Sequence, residues 1–269
     1  HNKLLGLPDE TLVYPAHGAG SMCGKQLSSE AFSTIGDQRK YNYALQPMSK
    51  DDFKRLVTAD QPDAPDYFVH DAILNRQDRV ALDDAMQESM KPLDLDAVLA
   101  LQTEGAQVLD VRDAADFAGA HLVGSINIGL DGKYATWCGT VLDKETPIVV
   151  VAEEDQVEEA IMRLGRIGFD QVRGYLQHGP GALESRPDLV GQVARVTAKA
   201  LHEQLSGSEA PAVVDVRTEK EWSAGHIEGS INVPLNHLEE RIAEVPQGKP
   251  VVIHCQGGYR SSIAASLLH

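Results

Sequence analysis

An internal repeat is the feature that most limits how this chain of 269 residues can fold. Residues 110–129 align without gaps on residues 215–234, and eight of these twenty positions are identical. Each copy follows an amphipathic helical stretch and a short strand candidate, and each precedes a proline and a run of β-branched residues. Strands that alternate with helices are typical of a parallel sheet covered by helices. The repeat therefore predicts two α/β units of the doubly wound kind.

The β-branched runs at residues 147–151 and 250–254 predict a fully buried parallel strand in each copy, with a helix after it. The first copy continues into a further strand candidate at residues 168–176, and the Pro/Gly-rich residues 179–187 predict a linker. The second copy reaches His269 within the helix that follows its buried strand. We therefore expect its last strand and helix to lie outside this chain, which we interpret as a fragment.

Residues 1–92 show no third copy of the repeat and have a strand candidate, a glycine-rich loop and polar helical stretches instead. A helix should begin after Ser49, a good N-cap residue followed by an acidic first turn. We predict three domains, at residues 1–92, 93–190 and 191–269, of which the last is incomplete.

Charge and cysteine usage exclude several classes of function. The chain has 24 Lys and Arg against 40 Asp and Glu, a net charge of −16, which disfavours nucleic acid and anionic membrane surfaces as partners. Its longest apolar run is too short to span a bilayer. The three cysteines, Cys23, Cys138 and Cys255, are too far apart for a disulfide framework. They favour a reducing compartment, so we expect a cytoplasmic protein.

The clearest chemical signal lies at the end of the second buried strand, where a cysteine opens a short loop into the next helix. Loop N–H groups and the helix N-terminus there would stabilise a thiolate and a bound anion. We expect Arg260 to hold the loop or the anion and Ser261 to cap the helix. The alternative is a structural cysteine beside a tight turn. The predicted loop consists of Cys255, Gln256, Gly257, Gly258, Tyr259, Arg260 and Ser261.

The first copy serves as a comparison for this loop. When residue 147 is superposed on residue 250, Ala152 takes the position of Cys255, and acidic residues 153–155 follow. This copy has neither a nucleophile nor a cation there, so we predict a scaffolding or docking role for it. Cys138 lies outside the motif and is expected to be a buried apolar cysteine.

The second copy resembles a rhodanese domain in residues 215–217, in residues 225–232 and in the Cys255 loop. The resemblance implies sulfane-sulfur transfer through a persulfide on Cys255, with Asp215 and Arg217 paired as a structural brace. The first copy resembles an inactive rhodanese domain. Rhodanese loops that use thiosulfate usually carry more cations than Arg260 alone, so both thiosulfate and a thiol persulfide of glutathione type stay open as donors.

Residues 12–17, Leu-Val-Tyr-Pro-Ala-His, together with residues 33–36 and 41–42, resemble the C-terminal part of an αββα metallo-β-lactamase-fold domain of the glyoxalase II and persulfide dioxygenase group. The resemblance implies that His17 closes a site for Fe(II) or Zn(II). The family's His-x-His-x-Asp-His motif does not occur in this chain. We therefore expect the fragment to hold no metal firmly.

These observations favour a protein of sulfur metabolism in which a persulfide dioxygenase-like metal domain is fused to two rhodanese repeats. The alternative is a Zn(II)-dependent thioester hydrolase of the glyoxalase II kind, with the repeats as binding modules. The expected partners are small thiols or persulfides, and a homo-oligomer is left open. We expect the fragment itself to show weak activity or none.

Overall fold

The computed structural model describes residues 3–16, 30–59, 73, 76, 86–87 and 89–268. The chain divides into two compact units, His1–Ala64 and Pro65–His269. Both copies of the repeat belong to the second unit. No helix among the described residues is long and apolar enough to cross a bilayer.

The described residues of the first unit form one small sheet and two α-helices. Its elements are β1 (Leu12–Val13), β2 (Ser33–Thr34), α1 (Ile35–Tyr41) and α2 (Lys50–Thr58), with β1 and β2 antiparallel. The hydroxyl of Ser49 accepts a hydrogen bond of 3.1 Å from the backbone N–H of Asp52 and caps α2. This agrees with the predicted start of the helix.

The first repeat forms a five-stranded parallel sheet in the order β3-β8-β7-β4-β6. Its strands are β3 (Pro92–Leu93), β4 (Gln107–Asp110), β6 (Ser125–Asn127), β7 (Ile148–Val151) and β8 (Val172–Leu176). Its helices are α3 (Leu95–Thr103), α4 (Ala114–Gly119), α5 (Tyr134–Val141) and α6 (Val157–Arg166). A separate strand, β5 (His121–Leu122), pairs antiparallel with β9 (Val190–Gly191).

The second repeat forms a three-stranded parallel sheet in the order β11-β10-β12. Its strands are β10 (Ala212–Asp215), β11 (Ile231–Asn232) and β12 (Val251–His254). Its helices are α7 (Ala198–Leu205), α8 (Glu219–Ala224) and α9 (Tyr259–Leu268). The parallel sheets of the two repeats confirm the predicted α/β class.

The central strands of the two repeats differ in burial. All four residues of β7 are buried, because β4 and β8 flank it and helices cover it. All four residues of β12 are only half-buried, so the prediction of a fully buried strand was wrong for this copy. Among the described residues, β12 pairs on one side only, with β10. A cavity of about 940 Å³ is lined by β12 and by residues 193–198.

The Pro/Gly-rich stretch after β8 is folded against the first repeat, so the prediction of a linker was also wrong. It forms two short 3₁₀ helices, Gly179–Leu183 and Pro187–Leu189, and continues into β9. Gly179 has a φ of +51°, and a side chain there would collide with the carbonyl oxygen of Ala152. Glycine is needed at this position because the chain packs closely on the end of β7.

One of the two hydrophobic clusters among the described residues contains buried side chains of both repeats. Side chains of β4, β7, α5 and α6 from the first repeat pack in one cluster with buried residues of the second. The second repeat contributes Val214, Val216, Val233, Leu235, Leu238, Ile263 and Ala264. Ile263 and Ala264 lie on α9, so the helix that follows Cys255 packs into a core that both repeats share.

Candidate functional site

Cys255 lies between β12 and α9, at the carboxyl end of the second sheet. In that sheet Asp215 pairs with His254, so Cys255 is the next residue after the pair. In the first sheet Asp110 pairs with Val151, and the next residue is Ala152. The register of the two sheets therefore gives Ala152 and Cys255 the same place in the fold.

Two polar groups of the loop contact the sulfur of Cys255. The backbone N–H of Gly258 donates to the sulfur over 3.2 Å, and the Ser261 hydroxyl lies 3.5 Å from it. Gly258 has a φ of +93°, in the left-handed region that favours glycine. This conformation lets the loop turn back so that its N–H reaches the sulfur.

These contacts change the acidity of the thiol. Burial of the half-buried Cys255 would by itself raise its pKa. The hydroxyl of Ser261 and the backbone N–H groups of Ser261, Gly257 and Gly258 act in the opposite direction, and together they hold the pKa below that of an ordinary thiol. The loop therefore favours the thiolate, the form of cysteine that is nucleophilic.

Ser261 does not cap the helix, contrary to the sequence expectation. Helix α9 begins at Tyr259, so Ser261 is its third residue. Its hydroxyl oxygen lies 3.0 Å from the carbonyl oxygen of Gly258 and 3.5 Å from the sulfur, so its one proton can go to the carbonyl beside a neutral thiol and to the sulfur of a thiolate. The helix therefore begins three residues earlier than a cap at Ser261 would place it.

Arg260 forms a two-point ion pair with Glu221 of α8. Its two terminal nitrogens lie 2.7 Å from the two carboxylate oxygens. The hydrogen bonds from Arg260, with those from Thr218, outweigh burial and lower the pKa of Glu221 to about 2. The positive charge next to Cys255 is thus shared with a carboxylate.

Sequence reasoning did not identify Glu221 as a residue of the site. The sequence contains a signal for Glu221, because Thr218 and Glu221 have the spacing of a capping box. In the structure this box is formed: Thr218 and Glu221 hydrogen-bond to each other's backbone N–H groups. The capping box fixes the carboxylate that receives Arg260.

The buried Asp215 forms an ion pair with the half-buried Arg217. The guanidinium donates to both oxygens of Asp215, the shorter distance being 2.6 Å, and also to the carbonyl of Gly225. Burial would raise the pKa of Asp215, but the hydrogen bonds from Arg217 lower it. Asp110 and Arg112 repeat the arrangement in the first copy, again with a shortest distance of 2.6 Å. The first copy has this network without the cysteine, so the network does not depend on the cysteine, and the role of Asp215 and Arg217 as a brace stays a prediction.

The first copy offers no equivalent loop. Ala152 is buried, and a 3₁₀ helix at Glu154–Gln156 follows where the loop of Cys255 would be. Val157, also buried, takes the position of Arg260. Cys138 of this copy is fully buried, and burial raises the pKa of its thiol far above the ordinary range. It is therefore held as a neutral thiol.

His17 and Cys23 lie outside the described residues. In the part of the chain that the structure describes, no three His, Cys, Asp or Glu side chains come together as a metal site. The described residues alone therefore do not make a site for Fe(II) or Zn(II), and His17 as a ligand stays a prediction.

The large cavity beside β12 also contacts Cys255, Gly258 and Ser261. In the first sheet the corresponding side of β7 is occupied by β8. The cavity therefore lies beside β12 where β8 lies beside β7, and it is not assigned to a substrate.

Comparisons with known proteins agree with this geometry. The family model described as "Rhodanese-like domain" matches residues 94–177 and 197–269. A protein named "Sulfurtransferase" from Allochromatium vinosum is 32% identical over 76 residues, which are 28% of this chain and 71% of that protein. The "HTH-type transcriptional regulator Rv0324" of Mycobacterium tuberculosis is 45% identical over 47 residues, which are 18% of this chain and 21% of the regulator.

A solved structure described as a metallo-beta-lactamase from Staphylococcus aureus shares the fold, with a TM-score of 0.52 and 24% identity. The match covers 65% of this chain and 48% of that one. The chain thus spans about a fifth of the regulator and about half of the metallo-beta-lactamase.

Proposed function

Because the chain belongs to the rhodanese-like family, we propose that it transfers sulfane sulfur through a persulfide formed on Cys255. One observation carries this proposal. The thiol at the end of β12 accepts a hydrogen bond from the N–H of Gly258, and its pKa is lowered. A thiolate held among N–H donors is suited to attack sulfur and to carry the charge of a persulfide anion.

The proposed reaction has two steps that need no external oxidant or reductant. The Cys255 thiolate attacks the outer sulfur of a persulfide R–S–SH, the bond between the two donor sulfurs breaks, and R–S⁻ leaves with the electron pair. Cys255 then carries the outer sulfur and its proton. In the second step an acceptor thiolate attacks that outer sulfur and releases Cys255 as a thiolate.

The ion pair of Arg260 supports a thiol persulfide as the preferred donor. Thiosulfate carries two negative charges and needs unpaired cations at the loop. Arg260 is the cation of the loop sequence, and Glu221 takes both of its terminal nitrogens. We therefore propose that the substrates are small thiols and persulfides of glutathione type, with thiosulfate as the weaker donor.

Intact-mass measurement tests this function. After incubation with glutathione persulfide and removal of the donor, the chain should gain the mass of one sulfur atom. Cys255→Ser should abolish the gain, whereas Cys138→Ser, a change at the buried cysteine, should preserve it. A chain that gains no sulfur, or a Cys255→Ser variant that still gains it, would contradict the proposal. The first of these results would favour rhodanese repeats that act as binding modules.

We also propose a metal-dependent activity for the whole protein, supported by the fold shared with a metallo-beta-lactamase. The proposed activity is that of a persulfide dioxygenase with Fe(II). A Zn(II)-dependent thioester hydrolase of the glyoxalase II kind is the alternative. Metal analysis of the full-length protein, combined with oxygen uptake on glutathione persulfide, distinguishes them. Zinc without oxygen uptake would contradict the dioxygenase.

A further inference from the structure

Helix α9, whose first three residues belong to the predicted Cys255 loop, makes three hydrogen bonds to described residues of the first repeat. The hydroxyl of Tyr259 donates to the carbonyl of Gly129 over 2.7 Å. The hydroxyl of Ser262 donates to the side-chain oxygen of Asn127 over 2.7 Å, and the backbone N–H of Asn127 donates to Ser266 over 3.0 Å. Tyr259, Ser262 and Ser266 are spaced by three and four residues, so they share one face of the helix.

From these contacts we propose that the first repeat positions the reactive loop, with Tyr259 as the positioning residue for Cys255. This role rests on the proposed function of Cys255 as the sulfur carrier. The repeat that has alanine at the cysteine position would thereby contribute to the acidity of a thiol in the other repeat.

The connection from Tyr259 to the sulfur is short. Tyr259 follows Gly258 directly, and the N–H of Gly258 is the donor that lies 3.2 Å from the sulfur. The carbonyl of Gly258 accepts from the Ser261 hydroxyl and from the backbone N–H of Ser262, each over 3.0 Å. A ring fixed on the first repeat therefore limits how both peptide groups of Gly258 can rotate.

The anchor on the first repeat is itself rigid. The amide nitrogen of Asn127 donates to the carbonyls of Asp110 and Arg112, over 3.1 and 3.0 Å. Its amide oxygen accepts from Ser262, so the buried Asp110–Arg112 brace is connected to α9 through one side chain. The Asp110–Arg112 pair can thus hold α9 in position, a role that needs no cysteine in the first copy.

The contact between Tyr259 and the first repeat can be disturbed by a change in the first repeat alone. The ring of Tyr259 lies against Gly132, and a side-chain carbon at Gly132 would overlap it. Gly181, also in the first repeat, has open space where a side chain would be placed. Gly132→Ala and Gly181→Ala thus form a matched pair, neither of which changes a residue of the second repeat.

The measurement is the rate of Cys255 alkylation by iodoacetamide as a function of pH, followed on the Cys255 peptide by mass spectrometry. Gly132→Ala should raise the pH midpoint by about half a unit, the size of one weakened hydrogen bond to the thiolate. Gly181→Ala should leave the midpoint unchanged. Tyr259→Phe keeps the ring but loses the bond to Gly129, and it should shift the midpoint in the same direction. It also replaces Gly132→Ala if that variant does not fold.

Tyr134→Phe is the control for general loosening of the core. It removes another buried bond from a tyrosine hydroxyl to a carbonyl, that of Ala160 at 3.3 Å, and leaves the hydrogen bonds of Tyr259 and Gly258 in place. An unchanged midpoint in Tyr259→Phe, or an equal shift in Tyr134→Phe, would overturn the positioning role. If Gly132→Ala and Tyr259→Phe shift the alkylation midpoint as predicted but the protein cannot be loaded with sulfur, the result counts against the proposed function and not against the positioning role.

Discussion

Cys255 and Ala152 occupy the same register position at the ends of two parallel strands, but their surroundings differ. The chain after Cys255 turns at Gly258 and aims its N–H at the sulfur. The chain after Ala152 continues into Glu153 and the acidic 3₁₀ helix, where negative charge would repel an anion. The chemistry of this position therefore depends on the next few residues as much as on the cysteine itself.

Ser261→Ala should raise the pKa of Cys255, because the hydroxyl of Ser261 is the largest of the groups that lower it. A shift of about half to one unit would reduce the thiolate fraction, and with it the rate of sulfur loading near neutral pH, by about threefold to tenfold. The loading rate should recover as the pH rises. Ser206→Ala removes an exposed serine hydroxyl of the same repeat and should leave the profile unchanged. Identical profiles for the two variants would contradict the assigned role of Ser261.

Glu221→Gln should change donor preference, because it releases the charge of Arg260 towards the loop. The rate with thiosulfate should rise several-fold relative to the rate with glutathione persulfide. The control is Glu228→Gln, which neutralises an exposed glutamate of the same repeat. A ratio of rates that does not change in Glu221→Gln would show that Arg260 does not select the donor.

The same variant tests stability against pH. The pKa of Glu221 is lowered from 4.5 to about 2, so its contribution to stability is present above pH 4.5 and is lost as the pH falls towards 2. The difference in melting temperature between wild type and Glu221→Gln should therefore shrink over that range. A difference that keeps its full neutral-pH size at pH 2 would rule out the ion pair as its source.

At the scale of elements, the loops after β4 and β10 are built alike. In each, an aspartate at the strand end binds the arginine two residues later, and an asparagine of the next strand donates to the carbonyls of both. Short-range spacing dictates this arrangement, which is why the repeat could be read from sequence. The half-buried state of β12 could not be predicted from the sequence, because it depends on which elements lie beside the strand.

Asp110→Asn should destabilise the fold by about 3 to 5 kcal/mol, because it leaves the buried Arg112 guanidinium without its charged partner, and Asp215→Asn should act in the same direction on the half-buried Arg217. The loss should be larger for Asp110, since the Arg112 side chain is 6% exposed and that of Arg217 is 17% exposed. Unfolding in urea measures both. Asp188→Asn, which breaks the exposed pair with Arg186, should change the stability little. Equal effects at all three positions would contradict the brace.

At the scale of the whole molecule, the resemblance of the repeats to rhodanese domains is confirmed by the family match over both copies. The sequence could indicate the repeats because motifs and hydrophobic runs are local. It could not indicate that Glu221 binds Arg260 or that Tyr259 reaches Gly129, because these contacts join residues 39 and 130 positions apart. The roles of the Cys255 loop residues and of His17 stay predictions.

The measurement that tests the central claim most directly is one complete cycle of sulfur transfer followed by intact mass. The chain is loaded with glutathione persulfide, freed of donor and then treated with an acceptor thiol. The account predicts a gain of one sulfur atom on Cys255, its loss to the acceptor, and no gain in Cys255→Ser. A mass that never rises, or a sulfur that the acceptor cannot remove, would contradict it.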